Sequence, residues 1–345
     1  MNKNTIIVTG GAGYIGSHTI IELLTNTDFN VISIDNFSNS SPKIIDRIEK
    51  ITGKKINNYN ADLCDKNAIE KIFKQEENIT GIIHFAAFKS VFESVVNPYK
   101  YYYNNINSLL NILECCLKYS VPNFIFSSSC SIYGNIKQLP VKEDTPFGKA
   151  ESPYAYTKQI GEEIIKDYTI AYPQLQTIAL RYFNPVGAHI SGLIGELPIN
   201  KANNLIPIIT QTAIGKNEQM VVYGNTYPTR DGTCIRDYIH VTDIANAHIK
   251  ALMYLIGHKN ESGFSVFNLG TGSGVSVLEA IKAFEKVSGK KLNYTIGDKR
   301  PGDVIAIYSD TTKSEKKLHW KPQFSLEQMM ETAWKWELEQ AKELV

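Results

Sequence analysis

The chain has 345 residues, long enough for one large domain or for two closely joined ones. Its 36 basic side chains almost balance its 35 acidic ones, so the net charge of +1 gives no electrostatic reason to expect a nucleic acid or an anionic membrane as the main partner. Its five cysteines form no C-x-x-C pair and leave an odd thiol, which argues for a reducing compartment and against a disulfide framework or a zinc site. We find neither a signal-peptide core nor an apolar run of about 18 residues, and therefore expect a soluble cytoplasmic protein without a bound metal.

The first predicted strand, residues 6–9, leads into a turn with three regularly spaced glycines. Gly10, Gly13 and Gly16 lie three residues apart, and an apolar helical pattern follows over residues 15–24. A sharp turn from strand to helix needs a residue that can adopt unusual backbone angles, which suits Gly10. A side chain at Gly13 would hold a pyrophosphate away from the backbone, and one at Gly16 would hold the helix away from the sheet. Because a helix N-terminus also attracts phosphate, this stretch predicts a dinucleotide site.

The second predicted strand, residues 30–34, ends in Asp35, close to the distance of about 20 residues at which a ribose-binding acid is expected beyond such glycines. Its carboxylate can accept hydrogen bonds from ribose hydroxyls. A 2′-phosphate about 4 Å away would be repelled by about 4 kcal/mol per unit charge near a protein surface. No Lys or Arg lies between Asp35 and Lys43 to offset that repulsion. The sequence therefore predicts NAD as the cofactor and disfavours NADP.

Strands and helices then alternate in the pattern of a parallel sheet that is covered by helices on both faces. The predicted strands are 56–60, 81–85, 123–126 and 176–181, and the predicted helices are 43–52, 66–77, 101–118 and one that begins near 154. We expect a Rossmann-type, doubly wound α/β fold. Ligands bind beyond the carboxyl ends of the strands in such a sheet, which is where Gly10, Asp35, Phe85 and Ser127 fall.

The alternation becomes irregular beyond about Gly187. The segment as far as Tyr238 is rich in Gly, Asn and Pro, with a short helix predicted at 205–214 and a strand at 219–223. Long irregular segments in a compact protein are usually functional, so we expect a substrate lobe to begin here. A helix at 239–257 and a strand at 265–269 return to the sheet, and helices at 277–288 and 326–341 complete the chain. We therefore assign 1–186 and 239–272 to the dinucleotide-binding domain, and 187–238 and 273–345 to a smaller C-terminal α/β substrate lobe.

Tyr154 and Lys158 form a Tyr-x-x-x-Lys pair at the start of a predicted helix, where a spacing of four residues puts both side chains on one face. A free phenol has a pKa of about 10. A neighbouring ammonium favours the phenolate, so we expect Lys158 to lower the pKa of Tyr154 toward neutrality, where a general base works best. Such a pair often only decorates a solvated helix. Ser129, at the end of a predicted strand, strengthens the catalytic interpretation, because its hydroxyl can bond the substrate oxygen that loses its proton.

These residues are embedded in longer motifs, by which the chain resembles the extended short-chain dehydrogenase/reductases over essentially its whole length. The motifs cover residues 8–18, 62–63, 85–89, 102–107, 126–134, 152–158, 181–189, 203–205, 231–233, 236–241 and 300–303. Many of them lie outside the predicted cofactor half. Within that family the resemblance is to enzymes that invert C4 of a UDP-hexose. It implies interconversion of UDP-galactose and UDP-glucose through a 4-keto sugar, with transient hydride transfer to tightly held NAD, and it implies a homodimer.

The resemblance also implies roles for individual residues. Tyr154 would take the proton of the sugar 4-hydroxyl, Ser129 would assist that transfer, and Lys158 would hold the nicotinamide ribose. The implied cofactor contacts are Gly10, Gly13, Tyr14, Ile15, Gly16, Asp35, Asn36, Asp62, Leu63, Phe85, Ala86, Lys89, Asn104, Ser127, Tyr154, Lys158 and Tyr182. The implied substrate contacts are Lys89, Ser129, Tyr154, Asn184, Asn203, Asn204, Leu205, Tyr223, Arg236, Arg300 and Asp303.

The chemistry of Arg236 and Arg300 independently supports their roles as substrate contacts, whereas Asn203 and Asn204 have an alternative role. Guanidinium groups pair well with phosphate oxygens, so Arg236 and Arg300 suit a diphosphate, although a single Arg is more often only a solubilising side chain. Asn203 and Asn204 could equally cap the helix that is predicted to begin at Leu205.

The sequence leaves the range of substrates open and disfavours two other functions. Ile307 occupies the position that sets the size of the sugar pocket in the resembled enzymes, and its intermediate size leaves activity on N-acetylated UDP-hexoses open. A nucleotide-sugar 4,6-dehydratase would need an Asp-Glu pair where this chain has Cys130-Ser131. A non-catalytic NAD sensor on the same fold tends to lose the Tyr or the Lys, and this chain keeps both.

Overall fold

The computed structural model describes residues 3–197, 202–300 and 303–342. Its first half confirms the predicted alternation of strands and helices. In chain order the elements are β1 (Thr5–Thr9), α1 (Tyr14–Asn26), β2 (Asn30–Ile34), α2 (Lys43–Thr52), β3 (Asn57–Tyr59), α3 (Lys66–Gln75), β4 (Ile79–His84), α4 (Val91–Val96), α5 (Pro98–Lys118), β5 (Asn123–Ser129), a short 3-10 turn (Cys130–Tyr133), α6 (Pro153–Ala171) and β6 (Gln176–Tyr182).

In its described residues, the second half contains five helices among strands that are mostly very short. Its elements are β7 (Asn184–Val186), α7 (Leu205–Ala213), β8 (Met220–Tyr223), β9 (Ile235–Arg236), β10 (Tyr238–His240), α8 (Val241–Ile256), β11 (Phe264–Leu269), β12 (Val275–Ser276), α9 (Val277–Ser288), β13 (Tyr294–Gly297), β14 (Ala306–Ile307), α10 (Thr312–Leu318) and α11 (Leu326–Lys342). Three small sheets connect this half: β10 with β7, β9 between β12 and β14, and β13 with β8.

Seven strands form one central sheet in the order β11-β6-β5-β4-β1-β2-β3, and every neighbouring pair runs parallel. The predicted doubly wound parallel sheet is therefore confirmed. The chain moves from β1 outward to β3 and then returns to β4 on the other side of β1. In a sheet of this kind the ligand site lies at the carboxyl ends of the strands where the order reverses, which here is between β1 and β4.

Apolar side chains cover both faces of this sheet, because successive residues of a strand point to opposite sides. On β1, Ile6 and Val8 pack in a cluster with α1, α2 and α8, whereas Ile7 packs in a second cluster with α3, α5 and α6. A third cluster joins α7, α9 and α11, with Ile209, Phe284 and Met330 fully buried. Among the described residues, no helix is both long and apolar enough to cross a membrane, and no group of three His, Cys, Asp or Glu could hold a metal ion.

The structure corrects several predicted boundaries. The helix expected at 101–118 begins at Pro98, because Asn97 accepts a hydrogen bond from the N–H of Lys100 and a proline fits the first helical position. The helix expected at 239–257 begins only at Val241, since the residues just before it pair with β7. The prediction missed six strands and two helices: β7, β9, β10, β12, β13, β14, α4 and α10. They are short, and their partners lie far away along the chain.

Candidate active site

The glycine turn packs too closely to admit a side chain at two of the three regularly spaced glycines. Gly10 has a φ of +69°, and a Cβ there would lie 2.8 Å from the amide nitrogen of Ala86. A Cβ at Gly16 would lie 2.2 Å from the carbonyl oxygen of Gly10. Gly13 has ordinary extended angles, and a Cβ there would meet only the same oxygen, at 3.1 Å. Gly10 thus lets the turn approach the end of β4 and Gly16 lets α1 approach the end of β1, while Gly13 keeps the backbone open to a ligand.

Asp35 lies beside this turn, at the end of β2. Its carboxylate accepts hydrogen bonds from the N–H of Ala12 and the N–H of Phe37, both at 2.9 Å, and from the hydroxyl of Ser40 at 2.8 Å. The carboxylate is buried and held in one orientation. The N-terminus of α1 has no side-chain cap. An uncapped helix N-terminus next to a fixed carboxylate fits NAD, with the first for the pyrophosphate and the second for the ribose.

Other predicted cofactor residues follow the ends of the neighbouring strands or lie on nearby helices. They are Asn36 after β2, Asp62 and Leu63 after β3, Phe85 and Ala86 after β4, Ile15 on α1 and Asn104 on α5. Leu63 is buried in the core, whereas Asp62 is exposed and accepts a hydrogen bond from the N–H of Cys64. The thiol of Cys64 lies 3.7 Å from the carbonyl oxygen of Asn104, which brings the turn after β3 against α5.

Ser129, Tyr154 and Lys158 meet at the carboxyl end of β5. Ser129 is the last residue of that strand, and its hydroxyl forms a hydrogen bond with the phenol of Tyr154, which lies in the first turn of α6. The Lys158 ammonium lies one turn further along the helix. It donates to the carbonyl oxygen of Ser127 at 2.6 Å and lies 5.9 Å from the centre of the Tyr154 ring. The Ser127 hydroxyl pairs with the hydroxyl of Tyr182, so these five side chains form one polar group.

The expectation that Lys158 lowers the pKa of Tyr154 is wrong for this arrangement. Burial raises the pKa of Tyr154 to about 12, and the hydrogen bond with Ser129 offsets only part of that rise. Burial also lowers the pKa of Lys158 to about 7, although the carboxylate of Glu162 opposes this shift. Both groups favour their uncharged forms because the pocket excludes water from them. The phenol is therefore protonated at neutral pH unless a further positive charge lies beside it.

Lys89 and Asn204, both predicted substrate contacts, bond to the same carboxylate oxygen of Glu196. The Lys89 ammonium lies 2.9 Å from it and the Asn204 amide nitrogen 2.8 Å. Asn204 occupies the N-cap position of α7, but its side chain makes no cap bond there. Tyr14, from the glycine turn, donates to the carbonyl oxygen of Gly187 at 2.6 Å, and the Lys89 ammonium lies over its ring. These contacts join the glycine turn to the predicted substrate lobe.

Tyr223, Arg300 and Asp303 form a second group of predicted substrate residues. The Arg300 guanidinium lies 4.7 Å from the centre of the Tyr223 ring and bonds the Asp303 carboxylate through two nitrogens at 3.1 Å. Pro301 and Gly302 of the same motif lie outside the described residues. The Arg236 guanidinium donates to the carbonyl oxygen of Val304 at 2.6 Å, and its charge lowers the pKa of the thiols of Cys130 and Cys234, which partly offsets the effect of their burial.

The remaining predicted substrate residues are more scattered. Asn184 begins β7 and Leu205 begins α7, where it packs against the third apolar cluster, while Asn203 is exposed just before it. Ile307, which was expected to set the size of the sugar pocket, is buried and pairs in register with Arg236. Sequence reasoning missed Glu196 and Ser40. Neither has a spacing signal, although Ser40 lies in the polar loop after Asp35.

A parallel seven-stranded sheet with a glycine turn after its first strand and a Ser-Tyr-Lys group at the end of β5 is the architecture of the extended short-chain dehydrogenase/reductases. Residues 7–333 match the family described as GDP-mannose 4,6 dehydratase, which covers most of the chain. A UDP-glucose 4-epimerase of Drosophila melanogaster is 48% identical over 343 residues, 98% of this chain and 97% of that protein. This chain therefore belongs to the extended short-chain dehydrogenase/reductases, and within them to the UDP-glucose 4-epimerases.

Solved structures agree with this membership. The UDP-glucose 4-epimerase from Bifidobacterium longum, in complex with NAD+ and UDP, is 45% identical with a TM-score of 0.92, over 98% of this chain and 99% of that one. The enzyme from Stenotrophomonas maltophila, with bound NAD and formylated UDP-arabinopyranose, is 38% identical with a TM-score of 0.95, over 99% of this chain and 100% of that one. The fold of this chain is thus shared with relatives whose structures contain NAD.

Proposed function

We propose that this protein is an NAD-dependent UDP-glucose 4-epimerase that interconverts UDP-galactose and UDP-glucose through a 4-keto sugar. The observation that carries the proposal is the meeting of Ser129, Tyr154 and Lys158 at the end of β5, next to a turn that fits NAD. A dehydratase would need carboxylic acids directly after Ser129, where this chain has Cys130 and Ser131. Burial raises the pKa of the Cys130 thiol to about 12, so it is a poor acid at neutral pH.

The three catalytic side chains have separate tasks. When bound, NAD would supply a reversible hydride acceptor for C4 of the sugar, and its oxidised nicotinamide ring would supply a positive charge. Tyr154 accepts the proton of the 4-hydroxyl and later returns it, and a positive charge nearby offsets the effect of burial on its pKa. Ser129 donates to the same oxygen and holds it in line with the phenol. Lys158, anchored on the Ser127 carbonyl, holds a ribose hydroxyl and adds a donor beside the phenol.

The nucleotide end of the substrate lies against the second half of the chain. Arg236 and Arg300 bind the diphosphate, and Tyr223, Asn184, Asn203, Asn204, Leu205 and Asp303 hold the rest of the UDP group. Residues 1–186 and 239–272 hold the dinucleotide, and 187–238 and 273–345 form the substrate lobe. Of these ranges, 1–2, 198–201, 301–302 and 343–345 lie outside the described residues. We also place the enzyme in the cytoplasm, a location that its five free thiols favour.

Purified protein incubated with UDP-galactose and no added cofactor tests the proposal. We expect conversion to UDP-glucose, read by NMR of the products, because the cycle leaves NAD unchanged and needs no supply of it. A parallel sample with UDP-N-acetylgalactosamine tests substrate breadth, which Ile307 leaves open. Failure to convert either sugar, by protein whose NAD content has been measured and restored, would refute the epimerase function.

Replacing Arg300 with Met should weaken substrate binding and leave the cofactor in place. A hydrogen bond to a charged group contributes about 1.5–3 kcal/mol, and Arg300 is half exposed, so we expect the KM for UDP-galactose to rise about tenfold. The kcat should change less than the KM. Lys118→Met is the matched control, because Lys118 is as exposed as Arg300 and pairs with Glu70 on α3, in the first half of the chain. An equal effect of both substitutions would contradict a role of Arg300 in binding.

The proposal includes a homodimer. Apolar side chains with 49–74% of their surface exposed cluster on α4 and on the first turns of α5: Val91, Phe92, Val95, Val96, Tyr99 and Tyr103. Monomeric proteins seldom expose a large continuous apolar patch. A two-fold axis places the same patch of both subunits face to face, and such dimers are the commonest oligomers. We therefore assign this patch to the contact between two copies of the chain.

Introducing charge into the patch should separate the subunits. Phe92 and Val96 lie four residues apart on one face of α4. Light scattering should find the unmodified protein at twice the chain mass of 38.7 kDa and the double variant Phe92→Asp, Val96→Asp at that mass. Met253→Asp, at an exposed apolar position on α8, should remain dimeric. A double variant that stays dimeric would assign the interface to another surface.

A further inference from the structure

A row of buried polar side chains crosses the central sheet beneath α6. Ser128 on β5 is the register partner of Arg181 on β6, and Arg181 is in turn the partner of Asn268 on β11. All three are buried. A parallel strand that is covered on both faces normally carries apolar side chains in such positions. These buried polar side chains therefore have a role that apolar side chains in the same positions could not fill.

Glu162 on α6 is the side chain to which this row is bonded. Its two carboxylate oxygens accept from Nε and Nη2 of Arg181 at 2.9 Å and 2.6 Å, and one of them also accepts from the Ser128 hydroxyl. Arg181 is 5% exposed and Glu162 2%. Apolar residues in place of a buried ion pair often leave stability unchanged or raise it. Stability alone is thus a weak reason for placing this pair here.

The remaining bonds of Arg181 hold the segment between β5 and α6. Its Nη1 donates to the Tyr133 hydroxyl at 2.9 Å and to the carbonyl oxygen of Glu143 at 3.0 Å. The Tyr133 hydroxyl donates in turn to Asn268 at 2.7 Å. The row is therefore fully hydrogen-bonded to Glu162 on one side and to the connection that delivers α6 on the other.

Glu162 shares its helix face with both reacting groups, since it lies four residues beyond Lys158 and eight beyond Tyr154. Three consecutive residues at the end of β5 bond these three side chains. Ser129 bonds Tyr154, the Ser127 carbonyl accepts from Lys158, and Ser128 donates to Glu162. The contacts of Ser129 and of the Ser127 carbonyl belong to the proposed chemistry. The contact of Ser128 with Glu162 extends the same set of bonds between β5 and α6.

We propose that Glu162, held by Arg181 and Ser128, is a positioning residue that sets the placement of α6 against β5 and thereby the placement of the Tyr154 hydroxyl and the Lys158 ammonium. The inference rests on the proposed epimerase function. Glu162 acts through geometry, because α6 is bonded to β5 at both ends of the face that carries Tyr154 and Lys158.

The carboxylate also acts on Lys158 by its charge. Burial lowers the pKa of Lys158 to about 7, and Glu162 raises it. The other titratable groups that face Lys158 are Tyr154 on the same helix, His84 on β4 and Tyr182 on β6. Burial and the charge of Lys158 lower the pKa of His84 to about 3, and burial raises the pKa of both phenols, so these three are neutral near pH 7. Of these neighbours, only Glu162 then carries a negative charge.

Glu162→Gln removes the charge and keeps the shape. We expect the kcat for UDP-galactose to fall by up to about 100-fold, the loss that a displacement of about 1 Å produces, with the KM within about twofold. The pKa of Lys158 should fall further, so the limb of the pH profile on which its ammonium is lost should move to lower pH. Bound NAD, measured by absorbance after denaturation, should stay at the level of the unmodified protein.

Ser128→Ala decides the matter if Glu162→Gln does not fold, because it breaks the bond to β5 and leaves the ion pair intact. We expect it to lower kcat about tenfold, part of the loss that a full misplacement causes, without moving the pH profile. Thr5→Val is the control, since it removes a buried strand hydroxyl at the amino end of β1, away from α6 and from the glycine turn, and it should keep full activity. Activity of Ser128→Ala equal to that of the unmodified protein would overturn the inference. An unmodified protein inactive on UDP-galactose would instead refute the proposed function.

Discussion

Tyr154→Phe is expected to lower the kcat for UDP-galactose about a thousandfold, while the protein keeps its fold and its NAD. General acid–base groups contribute about 10²- to 10⁴-fold to rates, and this substitution removes the single atom that exchanges the proton. The aromatic ring stays, so the packing around the first turn of α6 changes little. The Tyr154 hydroxyl bonds Ser129, and Ser129 keeps its bond to the N–H of Ser131 when that hydroxyl is lost.

The measurement is initial-rate kinetics on UDP-galactose, with bound NAD and the midpoint of thermal unfolding determined on the same samples. Tyr168→Phe is the matched control, because Tyr168 lies on the same helix and bonds Glu114 far from the site. It should lose no activity. A Tyr154→Phe protein with more than about a tenth of the normal rate would show that another group exchanges the proton, since loss of a general base should cost at least about 10²-fold.

Gly16→Ala and Gly13→Ala should affect the protein in different ways, although both add one methyl group to the same turn. At Gly16 the methyl would lie 2.2 Å from the carbonyl oxygen of Gly10, a backbone atom that cannot move without shifting β1 or α1. Overpacking of this kind costs about 1–3 kcal/mol, and the rigidity of the turn puts Gly16→Ala at the upper end. We expect a lower denaturant midpoint and little folded protein when cofactor is absent.

At Gly13 the backbone angles suit any residue, and the methyl would meet only one atom, at 3.1 Å. The free energy of unfolding of the NAD-free protein should therefore change by less than about 1 kcal/mol, as for most substitutions without a core clash. The methyl would instead lie where the pyrophosphate approaches the backbone, so NAD affinity should fall sharply. Denaturant unfolding and NAD titration of the two variants separate these effects. Equal loss of stability in both would mean that Gly13 serves packing alone.

The proposed dinucleotide half could be predicted in detail because its signals are local. The strands and helices of the central sheet have periodic apolar patterns, and the glycine turn, Asp35 and the Tyr154–Lys158 pair each depend on spacing within about one turn or one strand–helix unit. Ser129 could be identified because it lies at the end of a predicted strand. Such features need no knowledge of what packs against them.

The proposed substrate half was predicted less well. Strands of two to four residues form there only because a distant partner is in place, as when β9 pairs with both β12 and β14. The bonds of Lys89 and Asn204 to Glu196 likewise join residues up to 107 positions apart. No pattern within a single segment indicates such contacts.

The sequence by itself determined the alternation of strands and helices, the glycine turn and the identity of the Ser-Tyr-Lys group, because each depends on neighbouring residues. Only the tertiary structure decided the electrostatics of that group. Burial by several distant elements raises the pKa of Tyr154 and lowers that of Lys158, against the expectation from their spacing alone. The hydrogen bonds of Glu162 with Arg181 and Ser128, beneath the Ser-Tyr-Lys group, are likewise visible only in the tertiary structure. The cost of desolvating a charge depends on everything that surrounds it, and a linear pattern does not contain that information.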